Sequence, residues 1–90
     1  MVLVKNMHSG NGGGGWLSKW KKYMGLDADD KITCACCRRK YAEHGGHVIK
    51  VGNTDKKWYI VPLCANCNEG KDATGEFLVE EKILAPVAAL

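Results

Sequence analysis

The spacing of apolar and polar positions changes several times along the chain, and each change predicts an element. Residues 1–9 show little pattern beyond a short apolar run before Lys5. Gly10 to Gly15 then read as a flexible tether, because glycine loses the most entropy on ordering. Residues 1–15 are therefore expected to be a flexible Gly-rich N-terminus, and residues 16–90 a single domain. Trp16, Trp20 and Tyr23 follow at i, i+4 and i+7, with Leu17 and Met24 beside that stripe and Lys19, Lys21 and Lys22 off it. This is a short amphipathic helix, with Gly25 at the position of a C-cap glycine. Its expected use is docking on the rest of the domain. A membrane surface or a protein partner met through Trp16 and Trp20 is the alternative, since basic helices bearing tryptophan do both.

Beyond a polar loop at residues 27–31, HVIKV alternates, GNTDKK reads as a turn and WYIV is aromatic and β-branched. Together they predict a β-hairpin from His47 to Pro62. Cys64 to Lys71 suits a tight turn running into a short helix. In the tail, Phe77, Leu78, Ile83 and Leu84 suit a helix, whereas Pro86 and the valines suit extended chain, which is the preferred expectation.

Length changes the picture next. A chain of 90 residues buries only about 60–65% of its unfolded surface, so a hydrophobic core alone leaves it marginal. The five cysteines are the natural staple. An odd number cannot pair fully within one chain, and the apolar run at the start is too short for a signal-peptide core. Thiolates on a metal in a reducing cytoplasm fit better than disulfides. No stretch approaches the ~20 apolar residues of a membrane span.

Two C-x-x-C pairs stand out, Cys34/Cys37 and Cys64/Cys67, separated by 26 residues that hold the predicted hairpin. Each pair can chelate one ion on a tight turn, and the two together complete a tetrahedron at zinc. Knuckle, hairpin, then a helix whose first turn carries the second pair: this order predicts a small α+β, zinc-stabilised treble clef. Structural zinc contributes roughly 10–16 kcal/mol in small peptides, comparable to the whole stability of a domain. Cys36 is left over, read as a spare thiol beside the metal. His47 opens the first hairpin strand behind Gly45 and Gly46, where a treble clef brings that strand near Asn68. Imidazole beside an amide, with His44 as a further base, is how a hydrolytic site holds a divalent metal or activates water. A half-buried histidine bonded to the backbone, or a replacement zinc ligand, is the plainer reading of either histidine.

Residues Cys34 to Lys71 resemble the HNH, or ββα-metal, endonuclease superfamily in its zinc-containing form. The resemblance rests on Cys34-x-x-Cys37, His47-Val48, and Leu63-Cys64-Ala65-Asn66-Cys67-Asn68 with Lys71. The GGHV…YIVPLCANCN phrasing behind a W-x-x-x-W helix also looks like small bacterial or phage proteins with HNH-like zinc modules. The resemblance implies His47 and Asn68 as catalytic residues around a second divalent metal such as Mg²⁺. The family's Asp before the first histidine is Gly46 here, however, and its middle Asn is Tyr59. Losing the carboxylate removes the hard oxygen ligand Mg²⁺ prefers, so the pattern points to a binding module that keeps the scaffold.

Charge limits what such a module binds. The net charge is +3, too small for a general polycation, so any phosphate-facing surface is local. Its expected handles for DNA or RNA are Arg38, Arg39, Lys40, Lys50 and Lys71, with Lys56 and Lys57 nearby and Trp58 or Tyr59 for stacking. Three functions follow: a zinc-stapled nucleic-acid binder, a divalent-metal nuclease, and a protein-interaction or inhibitor factor working through its N-terminal helix.

Overall fold

A computed structural model describes residues 1–7, 15–52, 56–69 and 75–90. Its centre is a five-stranded antiparallel sheet: β1 (Val2–Asn6), β2 (His44–Lys50), β3 (Tyr59–Leu63), β4 (Glu76–Val79) and β5 (Ala85–Pro86), in the spatial order β4-β1-β2-β3-β5. Helix α1 spans Trp16–Tyr23 and α2 spans Ala65–Glu69, with 3₁₀ turns at Glu81–Ile83 and Val87–Ala89. Among the described residues no helix is long and apolar enough to cross a membrane.

The expected hairpin is present, with His44 opposite Leu63 and Val48 opposite Tyr59, although its first strand begins three residues before His47. The tail is extended in two short strands, as Pro86 and the valines suggested. The N-terminus corrects the expectation. Val2 to Asn6 are not part of a flexible lead but a strand between β2 and β4, and Val4 is fully buried. Burial along VLVKN alternates with period two, turning Val4 and Asn6 inward and Leu3 and Lys5 outward. The available signal was the β-branched pair Val2 and Val4 around Leu3. The glycine run, apart from Gly15, lies outside the described residues.

The parity of the strands divides the molecule into two layers. On one face of the sheet Val4, Val48, Val61, Leu63 and Val79 pack with Cys34, Cys64 and Cys67. On the other, Ile60 and Ala85 receive Trp20, with Trp16, Leu17 and Met24 around it. The helix therefore docks on its own sheet. Trp20 is 4% exposed and donates its indole N–H to the Ile83 carbonyl at 2.8 Å, which removes it from the surface a protein partner would read. The buried stripe is turned slightly from the expected one: Tyr23 is 47% exposed, while Leu17 and Met24 face the sheet. Gly25, at φ 76°, ends α1 in the left-handed region.

Gly45 and Gly46 make this layering possible. A Cβ on Gly45 would lie 2.7 Å from backbone atoms of Trp16 and Leu17, so α1 sits directly on β2 there. A Cβ on Gly46 points to the opposite side, into Leu63 Cδ1 and 3.0 Å from Asn68 Oδ1. Glycine at these positions answers a close approach on each face of one strand.

Candidate metal centre

The first knuckle is a tight turn built by backbone hydrogen bonds. Cys34 N–H donates to the Lys40 carbonyl at 2.8 Å and Arg38 N–H to the Cys34 carbonyl at 3.1 Å, while Ala35 N–H reaches the Pro62 carbonyl at 2.8 Å and ties the turn to β3. Arg38 takes a left-handed φ of 59° as the chain leaves Cys37. The second knuckle follows β3 directly: Cys64 precedes α2 and Cys67 lies within it, with Asn68 N–H on the Cys64 carbonyl at 3.0 Å. Glu43 Oε1 accepts from Ala65 N–H at 3.3 Å and so occupies one of the free donors at the start of α2.

These turns bring Cys34, Cys37, Cys64 and Cys67 together, with all four sulfurs within 4.8 Å of one another. A tetrahedral zinc with Zn–S bonds of ~2.3 Å spaces its sulfurs about 3.8 Å apart, and Cys37 and Cys64 stand at 3.9 Å. The donor set thus fits zinc in both chemistry and spacing. Backbone N–H groups stabilise thiolate here as they do in metal knuckles. Those of Arg39 and Lys40 point at Cys37 and lower its pKa to about 6. Cys36 N–H donates to Cys34 Sγ at 3.4 Å. Burial instead raises the pKa of Cys64 and Cys67, and a bound cation reverses this by claiming the sulfurs as thiolates. Four protein sulfurs, three of them buried, would fill a tetrahedral ion's coordination and leave no position for water or substrate, as in structural sites. Cys36 lies outside the four-sulfur set, with its thiol within hydrogen-bonding reach of Cys67.

One supporting residue was not expected. Asn6, from β1, is 1% exposed and directs its amide at the Cys67 carbonyl (3.5 Å), the Asn68 carbonyl (3.4 Å) and Asn68 Oδ1 (3.4 Å). It fastens the N-terminal strand to the helix that carries the second knuckle.

The histidines separate by strand parity. His44 shares a face with Asn68, whose Nδ2 stands 3.2 Å from His44 Nδ1. His47 is on the α1 side, with its ring 4.9 Å from that of Trp16 and 5.8 Å from that of Trp58. Burial there lowers its pKa and favours the neutral ring. The expected His47–Asn68 pairing is therefore not formed, and His44 takes that place.

The basic residues also divide. Arg39 and Lys40 border a cleft of about 120 Å³ over the centre, together with Cys37, Cys64, Asn66 and Cys67. Arg38 leans away and donates to the Leu78 carbonyl at 3.3 Å. Lys50 pairs with Glu81 at 3.3 Å and lies 5.1 Å over the Tyr59 ring. Burial opposes its charge, but Glu81 and Tyr59 outweigh burial and its pKa is raised. Tyr59 is only 7% exposed and so is not open for stacking, whereas Trp58 is 39% exposed. Lys71 lies outside the described residues.

In comparisons with protein-family models, curated proteins and solved structures, nothing matches this chain.

Proposed function

We propose that this chain is a zinc-stapled binding module of treble-clef, HNH-like type that holds nucleic acid. The observation that carries the reading is the closed four-cysteine set. Its metal has no free position for chemistry, so the centre serves to build a surface, and the surface over it is basic. Arg39 and Lys40 are exposed beside the cleft above the sulfurs, where they present charge to a phosphate backbone. Zinc orders both knuckles, and with them these two side chains and α2. The HNH resemblance supports the same scaffold, and Gly46 explains the missing carboxylate: a side chain there would strike Leu63 and Asn68.

Binding of a labelled oligonucleotide, followed by fluorescence anisotropy against salt, tests this. Neutralising two or three phosphates predicts a fall in affinity of about 10–40-fold between 50 and 200 mM salt. Arg39→Ala combined with Lys40→Ala should flatten that dependence. Absence of binding to single strands and duplexes at low salt would refute the proposal.

A second reading, a divalent-metal nuclease, is favoured by the His44–Asn68 contact at 3.2 Å. In it His44, not His47, is the base that orients water. It predicts plasmid nicking in Mg²⁺, Mn²⁺ or Ni²⁺ that His44→Ala abolishes and His47→Ala spares. Intact plasmid with all three metals ends it.

A further inference from the structure

Helix α1 lies over β2 and β3 and leaves much of the outer face toward β1 and β4 exposed. Leu3 and Leu78, cross-strand partners on that face, are 37% and 51% exposed. On the same face Trp16 at the start of α1, His47 on β2 and Trp58 just before β3 bring three rings together, each edge-on to the next at 4.9 and 5.8 Å. The metal centre uses none of these residues, and the sheet separates them from it.

Two observations identify what this face suits. The first is charge. Lys19 holds its ammonium 4.5 Å over the Trp16 ring, and Lys5 is exposed on β1, in register with Ile49 of β2. Glu76, the register partner of Lys5, is the acid at that edge. The second is shape. Beyond Trp58 the surface continues into an apolar cleft of about 380 Å³, lined by Lys57, Trp58, Pro86, Val87 and Ala88. Aromatic rings in a row, lysines along the margin and an apolar cleft at one end are the elements of a surface that stacks successive bases while cations track the backbone. A purely apolar protein partner would leave these lysines without a counterpart.

We propose that the outer face around Trp16, His47 and Trp58 is a stacking platform for single-stranded nucleic acid. This rests on the nucleic-acid reading above and deepens it. Duplex phosphates meet the basic knuckle on one side of the sheet, and unpaired bases meet the aromatic row on the other. His47 acts as a neutral ring between the tryptophans, and Lys5 and Lys19 supply charge at the margin.

The test uses the full zinc-loaded chain with two probes, a 15-nucleotide oligo-dT and a 15-base-pair duplex. Oligo-dT should quench the intrinsic tryptophan fluorescence. Trp58→Leu, which keeps apolar bulk but removes the ring, should weaken oligo-dT binding at least about fivefold and leave duplex binding within twofold. Trp58→Phe should recover most of the loss. Lys5→Gln, at an exposed position, removes the charge without setting a second carboxylate opposite Glu76 and should weaken oligo-dT binding. If oligo-dT binds Trp58→Leu and Lys5→Gln as tightly as the parent, the platform is overturned while nucleic-acid binding stands. If neither probe binds, both proposals fail. A chain that binds neither probe but sediments as a dimer that Trp58→Leu dissociates would assign the face to self-association instead.

Discussion

Gly45→Ala probes the contact on which the two-layer arrangement depends. The new methyl would sit 2.7 Å from the Trp16 carbonyl carbon, the Trp16 Cβ and the Leu17 nitrogen, two of them backbone atoms of a helix with no side-chain freedom to give. Ordinary contact begins near 3.4 Å, so α1 must retreat by about 0.7 Å. A radial gap of that size forfeits roughly a quarter to a half of the dispersion well of each contact it opens. Removing a buried tryptophan altogether costs ~3–5 kcal/mol, so loosening Trp20 by that fraction costs about 1–2 kcal/mol. Stretching its 2.8 Å bond to the Ile83 carbonyl adds about 1 kcal/mol. The reduced entropy of the unfolded chain returns ~0.4–1 kcal/mol. The net loss is about 1–2.5 kcal/mol, equivalent at this size to a fall in Tm of roughly 4–20 °C. Thermal unfolding followed by circular dichroism, with zinc in excess, measures it. Gly75→Ala, which meets nothing within 4 Å, is the control and should leave Tm unchanged or slightly raised. A Gly45→Ala protein that melts with the parent would show that α1 does not rest on β2 as described.

Three further outcomes follow from the same geometry. Cys36→Ser should retain the metal content of the parent, whereas Cys34→Ser or Cys67→Ser should lose metal and cooperative unfolding together, as metal analysis paired with melting curves would show. Asn6→Ala removes the donor that serves two carbonyls and an amide oxygen on the second knuckle. It should cost about 1–3 kcal/mol by denaturant titration, and an unchanged midpoint would contradict the role given to β1. His47 has a pKa lowered by burial, so the unfolded chain binds its proton more readily. Its contribution is therefore complete above the unfolded value near 6.5 and is lost as pH falls through that value toward the folded one. His47→Phe should flatten the stability difference between pH 7 and pH 6, while an unaltered pH profile would exclude the assignment.

What the sequence made legible follows the strength of each local pattern. The two C-x-x-C pairs declared themselves because chelation fixes a two-residue gap whatever surrounds it. The hairpin and α1 were visible as runs of a single period, and Gly25 marked where the helix stops. The five-residue strand β1 escaped because it stands alone before a glycine run, and its partners β2 and β4 lie far away in sequence. With β1 overlooked, Asn6 could not be recognised as a support of the second knuckle. His47 and Tyr59 were misassigned for one shared reason. A strand sends alternate residues to opposite faces, and neither residue's face could be fixed until the register with its neighbours was known. The same parity that takes His47 away from Asn68 brings His44 to it. Lys50 looked like a free cation until the 3₁₀ turn carrying Glu81 folded back across the sheet.

The central claim is that one ion, held by the four clustered sulfurs, closes this fold. Native mass spectrometry of the protein purified without added chelator tests it most directly. The expected result is a single species carrying one zinc per chain, with Cys64→Ser carrying none. A folded chain without metal, or a Cys64→Ser variant that keeps the full zinc complement, would contradict the account.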